Sequence, residues 1–283
     1  MTASAELGKK IHSFQTLADI VEAMKFYAGA TLRKTQEFVK NIRIYEENIL
    51  RAMSEVLRHN PQIFPVEQKI GKKIILACGS AQGLCGPFNE KIADVLSKII
   101  SPDDMLFITG RRLKSLVEYR GLPYAVYIDS AVSVNGLQKA LQETVAEITK
   151  AYGENGYYKL TLVFTVIKEG RAESMIERVL PPDIAAIQAR GPETEPPLTY
   201  ITPEVLFEHM LGEFLYMSLY RCYLESLRSE NWYRLRSMEG ASENMKRRLS
   251  ELDSLKRTIH QEEITEEMLE IMGGEAAIRK QED

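Results

Sequence analysis

Every proline of this 283-residue chain lies between Pro61 and Pro203. The first 60 residues have none, and neither do the last 80. Proline removes a backbone donor and clashes with the preceding turn of a helix, so its absence permits very long helices. From Glu204 to Met272 there are only two glycines, Gly212 and Gly240. At 1.5 Å rise per residue, such a helix spans roughly 100 Å. That exceeds the diameter of most globular domains. The helix is therefore expected to pair with the other proline-free end, or to reach into a partner.

Both ends carry the periodicity that pairing needs. The N-terminal segment reads as helix from about residue 4 to 58. Leu7, Phe14, Val21 and Ala28 recur every seven residues, with Leu17 and Met24 as the second row of the seam. Leu32, Val39, Ile42, Tyr45, Ile49, Met53 and Val56 continue an apolar stripe at three- and four-residue spacing. Ala28-Gly29-Ala30 is a patch of small residues that invites another helix backbone close. Near the other end Met238, Met245, Leu252 and Ile259 are again seven apart, with Leu249 and Leu255 beside them. A sustained heptad predicts a left-handed supercoil with a partner helix. Gly273-Gly274 is an expected helix stop. Between Leu206 and Leu227 the helix is apolar on several sides. Phe207, Phe214, Tyr216, Tyr220 and Tyr223 there predict more than one packing neighbour.

The middle of the chain alternates differently. Lys73–Cys78 is an apolar run ending in a glycine-rich turn, which reads as a buried strand. A helix is predicted from Phe88 to Ile100, a strand over Met105–Thr109, and a helix over Arg111–Arg120. A strand over Tyr124–Ile128 and a helix over Leu137–Tyr152 follow. Tyr158–Ile167 and Met175–Leu180 read as a closing pair of strands. This alternation implies a mostly parallel sheet covered by helices. The segment from Gly191-Pro192 to Pro196-Pro197 returns the chain to the long helix. The fold class is thus α/β: an antiparallel coiled-coil shaft from residues 1–60 and 200–283, and a Rossmann-like body over 66–190.

The candidates for chemistry are sparse. Gly79–Gly86 follows a strand and precedes a helix, the place for a phosphate-cradling loop. It lacks the Lys-Ser/Thr ending of a P-loop and the spaced glycines of a dinucleotide fingerprint. A tight turn in which glycines permit positive φ is the better reading. Cys85 could be a nucleophile on that turn, yet no histidine lies near it in sequence. Cys78 and Cys85 do not have zinc spacing, and Cys78 reads as a small buried apolar residue. His209 and Glu213, one turn apart, are an isolated pair. Glu262, Glu263, Glu266, Glu267 and Glu270 read as a solvated face, and Arg111-Arg112 as a surface pair. No catalytic residue, cofactor or metal site is expected. A net charge of −4 argues against binding nucleic acid by phosphate neutralisation. Three cysteines suit a reducing compartment better than a disulfide scaffold. No signal peptide is expected, and no apolar run approaches the ~20 residues needed to span a bilayer.

Three places carry a resemblance. Ala23-Met24-Lys25-Phe26-Tyr27-Ala28-Gly29-Ala30-Thr31-Leu32-Arg33-Lys34 resembles the N-terminal helix motif of the γ subunit of F-type ATP synthases. Gly83-Leu84-Cys85-Gly86, with Phe88-Asn89 behind it, is similar to that family's strand-end turn. Ile264-Thr265-Glu266-Glu267-Met268-Leu269-Glu270-Ile271-Met272-Gly273-Gly274 resembles its C-terminal signature. Order, spacing and length agree over essentially the whole chain. The chain departs from the family pattern at Ala81-Gln82, where Asp-Arg is usual, and at His260-Gln261, where Arg-Gln is usual. Arg257 stands where asparagine is usual. These departures resemble a divergent branch such as the alternative ATPases, some of them sodium-linked.

The resemblance implies a rotor without a catalytic site of its own. Its coiled coil would fill a ring of three α and three β subunits. Its body would rest against the ε subunit and the membrane c-ring, peripherally, on the cytoplasmic face of the inner membrane. By position, Met24 matches the site that meets a moving β loop. Gln261 and Thr265 match polar catches for β, and His260 occupies a catch position with a different side chain. Gly83, Leu84, Cys85 and Gly86 match the turn, where fold and body contacts are expected. Two other readings stay open from the residues alone: a coiled-coil scaffold outside any rotary machine, and an enzyme using the 79–86 loop.

Overall fold

The computed structural model describes residues 3–63, 72–155, 159–190, 195 and 198–279. The chain forms two compact units, one from residues 1–27 and 236–283, the other from residues 28–235. Two helices contribute to both: α1, Ala3–His59, and α6, Pro203–Arg279. Pro203 opens α6 at the position where a missing N–H is harmless. Asn60 closes α1, its backbone and side-chain N–H groups both donating to the Val56 carbonyl, at 3.0 and 3.1 Å. Pro61 follows and cannot continue the helix. The expected stop at Gly273-Gly274 is not observed, because α6 runs on to Arg279. Glycine weakens a helix by about 1 kcal/mol but keeps its N–H donor, and no proline follows to break the ladder.

In the 28–235 unit, five strands form one sheet. They are β1 (Lys73–Cys78), β2 (Met105–Thr109), β3 (Val126–Ile128), β4 (Lys159–Lys168) and β5 (Arg171–Leu180). The spatial order is β3-β2-β1-β4-β5, parallel except for the β4–β5 hairpin. The helices between them are α2 (Phe88–Ile99), α3 (Arg111–Tyr119) and α4 (Leu137–Asn155), with a short α5 (Ile184–Gln188) after β5. The β5 strand starts four residues earlier than the sequence pattern indicates. Glu169 and Gly170, at φ of 49° and 74°, make a two-residue turn that pairs Lys168 directly with Arg171. Tyr158 and most of the 191–197 loop lie outside the described residues.

The parallel strands are buried on both faces, as a covered sheet requires. Ile75, Ala77, Leu106, Ile108 and Val163 pack on Phe88, Ile92 and Leu96 of α2 and on Leu113 and Val117 of α3. Ile74, Leu76, Phe107, Leu162 and Phe164 pack on the opposite layer of α1, α4 and α6. Each fully buried large side chain contributes about 1.5–3 kcal/mol. The ends of β1 and β2 come very close. Gly79 N–H donates to the Thr109 carbonyl at 2.9 Å, and a Cβ on Gly79 would lie 2.2 Å from Cβ of Leu113. Gly110, at φ of 90°, faces Gly79 across this junction. In the α1 stripe Tyr45 turns outward, its hydroxyl donating to Glu213 at 3.0 Å, and Glu46 takes the inward position.

In the other unit the two chain ends run antiparallel. Leu7 and Ile11 pack with Leu252, beside Phe14, Leu249 and Ile259, while further along Ser242 Oγ donates to Glu22 at 3.3 Å. The first predicted row, Leu7, Phe14 and Val21, faces inward. The second row holds only in part: Met24 is half-buried, but Leu17 is 47% exposed, and Ile11 and Ala18 turn in instead. Likewise Leu249 turns in and Leu255 is 48% exposed. A seven-residue repeat fixes one row, but offsets of three and four residues from it lie on adjacent flanks of the helix. Packing selects between them.

Candidate functional site

In doubly wound sheets, ligands bind beyond the carboxyl ends of the strands, where the strand order reverses. Here that point lies between β1 and β4. Helix α6 lies across it. Ser226 Oγ donates to the Cys78 carbonyl at 3.0 Å, and Ser229 Oγ to the Thr165 carbonyl at 2.8 Å. Arg234 donates to the Gly83 carbonyl at 3.4 Å. Helix α6 is thereby tied to the strand ends on both sides of the crevice where such sheets hold a nucleotide.

The glycine-rich turn is also turned inward. Ser80 N–H donates to Asn89 Oδ1 at 3.0 Å, and Asn89 Nδ2 returns a bond to Ser80 Oγ at 2.9 Å. Ser80 Oγ donates to the Gln82 carbonyl at 2.8 Å, and the Ser80 carbonyl accepts from Arg112 N–H. Cys85 is 2% exposed beside Ser80. Burial pushes its thiol up, outweighing the hydrogen-bonding contact with Ser80 that acts the other way. A protonated, enclosed thiol is a poor nucleophile. Leu84 (φ 63°) and Gly86 (φ 52°) take left-handed conformations. Leu84 is exposed at the edge of a cleft of about 440 Å³, which Gly83, Cys85, Gly86, Arg112 and Tyr119 also line.

The least expected feature is the buried charge on α6. Arg221 bonds Glu46 of α1 at 2.6 Å and Glu177 of β5 at 2.5 Å, and Ser218 also donates to Glu46. Burial opposes the guanidinium charge, but the two carboxylates outweigh it and hold the group above its usual range. Glu225, wholly buried, is gripped by Arg43 and Arg228. Glu230 pairs with Arg234 at 2.5 Å, and its carboxyl is raised because burial outweighs the arginine. Such groups were not apparent from the sequence. The i, i+4 spacing of Glu230 and Arg234 was the available signal, and it marks a solvated pair as often as a buried one.

The expected contact positions fall on the unit formed by residues 1–27 and 236–283. Met24 is half-buried on α1, next to the Glu22–Ser242 bond. His260, Gln261 and Thr265 are exposed on α6, some 20 residues from Ser242, or roughly 30 Å along a helix. Gln261 and Thr265 lie one turn apart, and the threonine hydroxyl donates to the Gln261 backbone carbonyl at 2.8 Å, as Thr258 does to that of Ser254. His260 lies 3.9 Å from Glu263. Met24 is not part of that group. Leu7 packs with Leu252 and Ile259 while α1 begins at Ala3, so the last turns of α6 pass the start of α1. There Ile264, Met268, Leu269, Ile271 and Met272 are exposed. Exposed His209 and half-buried Glu213 gather no further ligand, and the described residues hold no cluster of three or more metal-ligating side chains. Among them no helix is long and apolar enough to cross a membrane.

Comparison with known proteins decides the family. The ATP synthase family model matches residues 3–278. The ATP synthase gamma chain of Bdellovibrio bacteriovorus is 24% identical, over 99% of this chain and all of the relative. That of Heliobacterium modesticaldum is 28% identical, over 98% of this chain and all of the relative. The chain belongs to the ATP synthase γ-subunit family. The fold agrees: a chain of the Euglena gracilis mitochondrial ATP synthase superimposes with a TM-score of 0.67 at 15% identity, covering 99% of this chain and 96% of that one. Members of this family are central-stalk subunits of rotary ATP synthases. The continuous helices α1 and α6 meet the stiffness that a central stalk requires.

Proposed function

We propose that this chain is the rotating shaft of an F-type ATP synthase, carrying no catalytic site, with ATP made or hydrolysed on partner β subunits. It assembles as one copy with three α and three β subunits. Its body meets the ε subunit and the membrane c-ring, so the chain is peripheral to the membrane, on its cytoplasmic face. The observation that carries this reading is the family match over residues 3–278. The exposed apolar turns around Ile264–Met272 support it, since a shaft turning inside a ring needs a tip that slides rather than interlocks. Met24, His260, Gln261 and Thr265 are the proposed contacts with the ring. Gly83, Leu84, Cys85 and Gly86 shape the body surface.

Co-expression with cognate α and β subunits tests the reading. A complex of three α, three β and one copy of this chain is expected, with Mg-ATP hydrolysis that depends on the chain. A monomer that ignores cognate partners contradicts it and favours a free coiled-coil scaffold. Within the complex, Gln261→Ala with Thr265→Ala removes polar catches worth about 0.5–1.5 kcal/mol each, so hydrolysis is expected to slow by roughly five-fold to a hundred-fold without loss of assembly.

A further inference from the structure

Cys78 ends β1 and Cys222 lies on α6, with their sulfurs 3.3 Å apart across 144 positions of sequence. Both are free thiols, 1% and 0% exposed. A disulfide bond is about 2.05 Å long, so closure needs the sulfurs to approach by only about 1.2 Å. The spacing is held from one turn further along α6. Ser226 Oγ donates to the carbonyl of Cys78 itself, and Ser229 anchors the next turn to β4. Tyr223, beside Cys222, is fixed by a 2.6 Å bond to Thr144. The third thiol, Cys85, instead contacts Ser80, Gln82 and Asn89. Burial keeps the Cys222 thiol protonated, as it does Cys85, so attack on an oxidant is slow at either and bulky or charged oxidants are excluded. What sets the pair apart is a second sulfur in contact, which turns a sulfenic acid into a disulfide, and Cys85 has none.

The geometry points to Cys78 and Cys222 as an oxidisable dithiol: a small neutral hydroperoxide converts the pair to a disulfide that staples α6 to the end of β1. One sulfur attacks a peroxide oxygen, the O–O bond breaks, and the thiol proton completes a molecule of water (an alcohol, from an organic peroxide). The resulting sulfenic acid is attacked by the second sulfur. The S–O bond breaks and the hydroxyl leaves as water with the second thiol proton. Two electrons pass from the sulfurs to the peroxide, and the S–S bond forms. The staple falls where α6 is tied to the strand ends, so oxidation locks that attachment. Cross-linking positions this far apart constrains the unfolded chain strongly. The inference does not depend on the rotor reading.

The full-length protein, folded and treated with hydrogen peroxide, tests it. The intact mass is expected to fall by two hydrogens and to recover with dithiothreitol. Digestion should yield one cross-linked species joining Cys78 to Cys222, with Cys85 still a thiol. The oxidised protein should melt roughly 5–10 °C above the reduced one. A Cys85→Ala variant should give the same result. Three alkylatable thiols after treatment, oxygen adducts without a link, a link involving Cys85, or a link that forms only in denaturant would each overturn the inference.

Discussion

Two stretches of α6 reverse the usual placement of charge and apolar surface. Residues 218–235 are buried or half-buried throughout, although Arg221, Glu225, Arg228, Glu230 and Arg234 are charged. Residues 260–272 are almost wholly exposed where described, although Ile264, Met268, Leu269, Ile271 and Met272 are apolar. The neighbours explain the reversal. The first stretch is enclosed by the sheet, α1 and β5, which bring carboxylates and arginines to meet its charges. The second has passed the start of α1 and has no facing helix among the described residues of its unit. Side-chain type on a long helix states what the helix needs, and the local neighbours decide whether it is met inside the chain or left for a partner.

The largest effect should come from breaking the enclosed side of this contrast. Arg221→Ala leaves Glu46 and Glu177 with uncompensated charge, so urea unfolding should show a loss of about 3–5 kcal/mol. Replacing Arg221, Glu46 and Glu177 together by Met, Leu and Leu should recover most of it, since an apolar substitute of similar volume needs no ion pairing. A loss below about 1 kcal/mol for Arg221→Ala would mean that water reaches the cluster and the contrast is false. Next in size is Gly79→Ala. Its Cβ meets Leu113 at 2.2 Å, and overpacking of this kind costs about 1–3 kcal/mol, read from the same unfolding curves.

A subtler probe is Glu230. Its folded carboxyl is raised above the ordinary value of 4.5, with burial the main cause, so the folded state holds its proton more tightly than the unfolded state. Its contribution is therefore present below the ordinary carboxylate range and is lost as pH rises through the folded value. Melting curves of Glu230→Gln and the parent across pH 4–8 should shift in favour of the variant as pH rises. A shift the other way would show that Arg234 outweighs burial. The smallest effect belongs to the exposed stretch. Leu255→Ser should change stability by no more than about 0.5 kcal/mol, because the side chain faces outward. A larger loss would place Leu255 in the seam after all.

Much of the architecture was legible in the chain. Proline exclusion marked both long helices, and the apolar runs at Lys73–Cys78 and Met105–Thr109 marked strands buried on both faces. The start of β5 was hidden because Ala172-Glu173-Ser174 lacks the apolar run of the parallel strands, and edge strands carry such residues. The second row of the seam was hidden because Leu17 is as apolar as Ile11, and only a facing helix chooses between them. Arg221 was hidden for a different reason. Its partner Glu46 lies 175 positions away, and no local pattern announces a long-range ion pair. Met24, His260, Gln261 and Thr265 were singled out by the family resemblance alone, because the helix periodicity does not set them apart from their neighbours on α1 and α6.

The most direct test is rotation itself. The α and β subunits would be fixed to a surface, a bead attached to the body of this chain, and Mg-ATP added. Stepwise rotation in one direction, stopping when ATP is withdrawn, is the predicted result. Steady hydrolysis by the ring with the bead stationary, while the chain remains bound, would contradict a rotor.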